Sequence, residues 1–358
     1  SNCVNFSYDD DGLLTQAGDL VLTRNADTGL LDSSELGDLA QAHEYNGFGE
    51  RTDSTITQTG SMLGTLSYEY DKLGRITHRD ESLPGSSLDD SYQYNPAGYL
   101  ISATRNGQTT TWQYDSNGNR THENGAQIAT YDEQDRLLSY QGVTYSHTAN
   151  GERQSNTEAG PTTPYEYDEL GNLLKVTLPG DVIIDYVVDG QNRRIGKKVN
   201  GSLTQGFLYQ DQLNPVAELD GNGNISARFI YADKANVPAY MVKDGKTYRI
   251  ISDHLGSPRL VVDVDTGDVA QRLEYDVWGN ITKDTNPGFQ PFGFAGGIYD
   301  QHTQLVRFGA RDYDPQTGRW TVKDPIRFEG DGPNLYGYVS NDPISFADLN
   351  GLEKVNLG

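Results

Sequence analysis

Tyr68-Glu69-Tyr70-Asp71-Lys72-Leu73-Gly74-Arg75-Ile76-Thr77 is the stretch from which the fold can be read. Tyr-x-Tyr alternation places two rings on one face of a strand, because successive side chains point to opposite faces. Asp71 then supplies a side-chain acceptor for a turn, and Gly74, three residues on, takes the positive φ that a tight hairpin needs. Arg75-Ile76-Thr77 opens a return strand. The same signature recurs in Tyr92-Gln93-Tyr94-Asn95-Pro96-Ala97-Gly98-Tyr99-Leu100, in Trp112-Gln113-Tyr114-Asp115-Ser116-Asn117-Gly118-Asn119-Arg120 and in Tyr165-Glu166-Tyr167-Asp168-Glu169-Leu170-Gly171-Asn172-Leu173. Degenerate copies begin at Tyr8, Tyr131, Tyr145, Tyr186 and Tyr275. A period of roughly 20 residues signals stacked structural units. A lone hairpin is only marginally stable in water, so neighbouring hairpins are expected to pair edge to edge. Asp135 stands where the copy at Tyr131 should have glycine, and residues 27 to 60 carry no clear copy. Both stretches are expected to be irregular.

Composition agrees with an all-β chain. The 358 residues include 40 Gly and 23 Tyr but only 2 Met, and hydrophobic residues make up 35%. That share is below the usual globular range of about 45 to 50%, which predicts thin sheets that bury one face. With 28 Lys and Arg against 51 Asp and Glu, the formal charge is -23. Phosphate backbones are repelled at long range, so nucleic acid is not expected as a partner. Cys3 is the only cysteine, which excludes an internal disulfide framework and a cysteine-based zinc site. The six His residues are scattered without paired-ligand spacing, so no metal and no cofactor are expected. No apolar run approaches the roughly 18 residues of a membrane span. Asp220-Gly221-Asn222-Gly223-Asn224 lacks the closing Glu of a calcium loop and reads as a hairpin turn.

From residue 253 onward the signals become denser. Asp253-His254-Leu255-Gly256-Ser257-Pro258-Arg259 leads to Tyr275-Asp276-Val277-Trp278-Gly279, Phe294-Ala295-Gly296 and Gly309-Ala310-Arg311-Asp312-Tyr313-Asp314-Pro315. Gly318-Arg319-Trp320, Asp324-Pro325, Asn334-Leu335-Tyr336 and Asn341-Asp342-Pro343 follow, and Asp348-Leu349-Asn350-Gly351-Leu352 closes the series. On residue type alone, Asp314, Asp324 and Asp342 each precede Pro and can serve simply as turn starters.

The repeat resembles the YD repeat of the Rhs and teneurin families, and the terminal series resembles the Rhs repeat-associated core of bacterial polymorphic toxins and Tc toxin C subunits. The resemblance implies a spiralling antiparallel sheet of YD-repeat hairpins, a β-shell fragment over 1–250, closed by a core plug over 251–352. Residues 353–358 would be the stub of a C-terminal toxin region. It further implies a shell that encloses its own toxin domain and cuts itself once, as an aspartyl autoprotease acting on the Leu352-Glu353 bond.

In that reading Asp324 and Asp348 are the catalytic pair, with Asp312 in reserve. Gly351 lets the chain turn back toward its own substrate. Arg311 and Arg319 either hold carboxylates or are ordinary cross-strand partners. Leu349 stands where the family's closing motif has Pro. The implied setting is interbacterial competition, with synthesis in a bacterial cytoplasm and secretion or delivery to a target cell. Delivery proteins and an immunity protein are the implied partners. Because an open spiral exposes sheet edges, a homodimer or a second protein is expected over the open side. The alternative is a non-catalytic structural or adhesive YD-repeat module at a cell surface.

Overall fold

A computed structural model describes residues 3–357. The quoted stretch forms the expected hairpin, in which strand Ser61–Tyr70 pairs antiparallel with Ile76–Leu83. The Asp71 backbone N–H donates to the Arg75 carbonyl at 2.9 Å. Its Oδ1 accepts from the N–H groups of Leu73 at 2.8 Å and Arg75 at 3.1 Å, and Gly74 adopts φ 73°. One carboxylate oxygen therefore closes the turn together with the backbone bond.

Hairpin follows hairpin without crossover. A 13-stranded sheet runs from Phe6–Tyr8 to Ala126–Gln127, and a 16-stranded sheet from Ala129–Tyr131 to Ile281–Asp284, each strand paired with its sequence neighbour. The two tyrosines of a copy have different work. The first is buried in the inner face, as with Tyr68, Tyr92 and Tyr165. In several hairpins the tyrosine before the turn staples its hairpin to the preceding one: the hydroxyls of Tyr70, Tyr94, Tyr131 and Tyr209 donate to the carbonyls of Arg51, Ile76, Arg120 and Arg194 at 2.7 to 3.0 Å. Each acceptor is the first residue of a return strand. Such a bond contributes about 1 kcal/mol net.

Three expectations need correction. Residues 27 to 60 are regular, with strands Leu31–Leu36, Leu39–Tyr45 and Arg51–Gln58 in continuous antiparallel pairing. A copy was hidden there because His43 replaces the first tyrosine, while Asn46 Oδ1 accepts from Phe48 and Glu50 N–H as Asp71 does in its own turn. The turn at Asp135 is likewise intact, since Asp135 itself takes φ 61° and the Asp132 N–H still donates to the Arg136 carbonyl at 3.1 Å. Aspartate visits the left-handed region more readily than most residues. The boundary expected at residue 250 falls inside strand Lys246–Ser252, and the large sheet continues to Asp284 because the copy at Tyr275 builds one more hairpin with Ile281–Asp284.

The plug that follows is a four-stranded sheet of Ile298–Tyr299, Val306–Phe308, Arg311–Asp314 and Arg319–Trp320, with a two-stranded ribbon of Phe346–Ala347 and Val355–Asn356. Its core joins Phe294, Phe308, Tyr313, Trp320 and Tyr338 to Leu273 and Tyr275 of the large sheet. The Tyr313 and Tyr338 ring centroids are 4.2 Å apart. Arginines at the first position of three return strands grip the plug: Arg120 donates to the Thr317 carbonyl at 3.0 Å, Arg153 pairs with Asp314 at 2.7 Å, and Arg194 with Asp312 at 2.9 Å.

Candidate active site

Asp324 begins the turn that its Asp-Pro sequence predicts, with Oδ1 accepting from the Ile326 N–H at 3.0 Å. Asp348 does the same in the closing segment, where Oδ1 accepts from the Leu352 N–H at 2.9 Å. Each aspartate thus spends one oxygen on its own turn. The other two oxygens meet at one nitrogen: Arg311 Nη2 lies 2.9 Å from Asp324 Oδ2 and 3.1 Å from Asp348 Oδ2. The turn role and the paired-carboxylate role are carried by different atoms of the same side chains.

Arg311 is held to this position. Its Nε donates to the Gly351 carbonyl at 2.5 Å, and its guanidinium lies 4.1 Å from the centroid of the Trp320 ring. Gly351 has φ 72°, and a Cβ there would strike the Phe308 carbonyl. Asn350 fixes the other side of the loop. Its carbonyl accepts from Ala310 N–H at 2.9 Å, and its Oδ1 accepts from Leu352 N–H at 2.9 Å and Glu353 N–H at 3.3 Å. Beyond the loop the chain returns antiparallel, with Val355 opposite Ala347 and Asn356 opposite Phe346.

The Leu352 carbonyl oxygen and Asp324 Oδ2 border the same small space beside Gly330. The place a Cβ on Gly330 would occupy is 2.9 Å from Asp324 Oδ2 and 3.0 Å from the Leu352 oxygen, so only a glycine leaves both oxygens where they are. A cleft of about 600 Å³, lined by Arg311, Asp324, Pro325, Phe328 and Leu335 among others, opens the Asp324 side to water. Asp348 is 0% exposed and Asp324 5%. Burial pushes the Asp348 carboxyl up to about 6, with Arg311 opposing, and raises Asp324 for the same reason against the same opposition. Of two carboxyls with raised proton affinity around one cation, one is protonated more readily than an ordinary aspartate. The arrangement can therefore offer a base to water and an acid to a peptide carbonyl or leaving amine.

The other sequence candidates fall outside this group. Asp312, held in reserve, sits one residue from Arg311 on a strand and so faces the opposite way, between Arg194 at 2.9 Å and Arg307 at 3.0 Å. Arg319 does not join the aspartates either: its guanidinium donates to Asn119 Oδ1 at 2.7 Å and to the Asp135 carbonyl at 2.6 Å. Sequence reading missed Gly330, although Gly330-Asp331-Gly332 marked a turn, and saw Asn350 only as part of the closing turn with Gly351. It also missed a partly exposed group on the outer face, where His78, Asp80 and Asp89 meet across one hairpin with His78 Nε2 3.0 Å from Asp80 Oδ2.

The family model described as Teneurin YD-shell matches residues 1–344. The chain belongs to the teneurin YD-shell family. Human Teneurin-4 is 29% identical to this YD-shell chain over 327 residues, 86% of the chain and 12% of that protein. Teneurin-3 of Danio rerio is 30% identical over 310 residues, 80% and 11%. The tRNA3(Ser)-specific nuclease WapA of Bacillus spizizenii is 29% identical over 274 residues, 72% and 12%. The chain thus spans about one eighth or less of the length of these relatives. Among solved structures, the TcdB2-TccC3 crystal structure superposes with a TM-score of 0.78 at 19% identity, covering 98% of this chain and 21% of that one. The fold is therefore that of a YD shell. Among the described residues, no helix is long and apolar enough to cross a membrane.

Proposed function

We propose that this YD-shell chain is the shell-forming part of a bacterial Rhs-type polymorphic toxin, which encloses the toxin following Leu352 and frees it by one intramolecular cut at Leu352-Glu353. The observation that carries the reading is the double hold on Leu352: its N–H donates to Asp348 Oδ1, while its carbonyl oxygen and Asp324 Oδ2 flank the same point beside Gly330.

In the proposed step, one carboxylate of the pair takes a proton from water as the water oxygen bonds to the Leu352 carbonyl carbon. The protonated partner steadies the carbonyl oxygen, and the C–N bond then breaks with protonation of the Glu353 nitrogen. The products are a Leu352 carboxylate and a Glu353 ammonium, which account for every atom of peptide and water. Because loop and dyad are one chain, positioning replaces encounter and removes several kcal/mol from the barrier. The enclosed toxin domain is the first partner in this reading, with delivery and immunity proteins acting on the assembled shell. A second copy of the chain over the exposed edge strand Phe6–Tyr8 fits the same picture.

Intact mass spectrometry of the natural full-length protein, with its Asp324→Asn and Asp348→Asn variants, tests this. A break after Leu352 in the parent protein and its loss in both variants is the expected result. An uncut parent chain would favour the alternative that the teneurin matches suggest, a non-catalytic structural or adhesive module.

A further inference from the structure

The segment after the proposed cut is also held, by residues outside the aspartate pair. Asp331 Oδ1 accepts from the Lys354 N–H at 3.1 Å. The Lys354 ammonium donates to Ser340 Oγ at 2.8 Å, and that hydroxyl donates to the Asp331 carbonyl at 3.3 Å. The same ammonium stands 5.2 Å from the centroid of the Phe346 ring. Lys354 is thus gripped at its backbone by one residue and at its side chain by another.

The scaffold of this grip is conformationally unusual. Val339, Ser340 and Asn341 all take left-handed φ, at 42°, 53° and 59°. A β-branched residue rarely adopts such a φ, and strain of this kind persists only where surroundings enforce it. The surroundings do so here, since Val339 is fully buried and Asn341 Nδ2 donates to the Gly118 carbonyl at 2.8 Å. The distortion places the Ser340 hydroxyl between the Asp331 carbonyl and the Lys354 ammonium.

We propose that Asp331 and Ser340 form a subsite for Lys354, the second residue beyond the cut, and that Asp331 is a positioning residue for the cleavage loop. The inference rests on the autoproteolytic reading above. Leu352 is fixed on one side of the bond by Asp348, and Asn350 Oδ1 holds the Glu353 N–H only at 3.3 Å. The Asp331 contact fixes the departing side, so that the Leu352 carbonyl stays beside Asp324 while water approaches. A chemical role in proton transfer is not assigned to it.

The test compares Asp331→Ala with Asp331→Asn in the natural full-length protein, because asparagine keeps the acceptor oxygen and alanine removes it. Two readouts are followed: the rate of cleavage by intact mass, and hydrogen exchange of the Lys354 amide. In the alanine variant we expect cleavage slowed and Lys354 exchange accelerated by about tenfold or more, and in the asparagine variant both within about threefold of the parent. Parent-like cleavage in the alanine variant, or equal loss in both variants, would overturn the positioning role. A parent chain that is never cut defeats the autoproteolytic reading, and with it the positioning role. Lys354 exchange would then still decide whether Asp331 grips the loop.

Discussion

Asp312 and Arg194 form a buried ion pair of 2.9 Å between strands 118 residues apart in sequence, and Arg307 adds a second guanidinium to the same carboxylate at 3.0 Å. The pair is a structural lock between shell and plug. Asp312→Ala should leave two buried cations uncompensated and destabilise the fold by roughly 3 to 5 kcal/mol. Urea denaturation of the variant measures the loss, and a change below about 1 kcal/mol would remove the lock.

Gly330→Ala addresses the Arg311 side of the plug. Gly330 has φ -88° and ψ -141°, outside the ordinary β and α regions, and its Cβ would press on Asp324 Oδ2 and the Leu352 oxygen together. Cleavage after Leu352 should slow by about tenfold or more, beyond what backbone strain costs the unfolding midpoint, since misplacing reacting groups by a fraction of an ångström is costly in rate. Mass-spectrometric time courses beside thermal melts separate the two effects. Unchanged cleavage would mean that the two oxygens need not stay where they are.

The hydroxyl staples give a purely structural prediction. Tyr70→Phe keeps the ring and deletes the bond to the Arg51 carbonyl at 2.8 Å. The expected cost is about 1 kcal/mol, read from chemical denaturation. A neutral substitution would leave ring packing as the only contribution of the second tyrosine.

Stability should depend on pH in two opposite ways. Burial pushes both Asp342 and Asp348 up to about 6. Between about pH 4 and 6 the folded state therefore binds more protons than the unfolded chain, and stability falls as pH rises through that window. Asp90 runs the other way: burial opposes its charge, but Arg105 and Arg79 hold it down to about 2, so its contribution is lost as pH falls from about 4 toward 2. Asp342→Asn keeps an oxygen for the Ser345 and Ile344 N–H groups and removes the buried charge. It should raise stability at pH 7 by on the order of 1 to 2 kcal/mol and leave pH 4 nearly unchanged. Denaturation curves at both values check this, and an equal shift at both would point to packing instead of charge.

Hairpin identity was legible from residues 68 to 77 because every interaction that defines the turn at Asp71 lies within four residues of it. The same local chemistry explains why Asp324 and Asp348 were visible as turn residues at all. What hid the copy at His43 and the turn at Asp135 was a substitution that the local backbone accepts.

By itself, then, the sequence determined the repeating hairpin, the direction of each strand's buried face and the loop that turns back at Gly351, all consequences of neighbours along the chain. Only the tertiary structure decided which carboxylates work together. In strand Arg311–Asp314 the period of two sends Arg311 toward Asp324 and Asp348, and sends Asp312 and Asp314 toward Arg194 and Arg153 of distant hairpins. Nothing local distinguishes these aspartates, because each is a short acidic side chain in a similar setting. Their partners are fixed by where the plug docks in the shell.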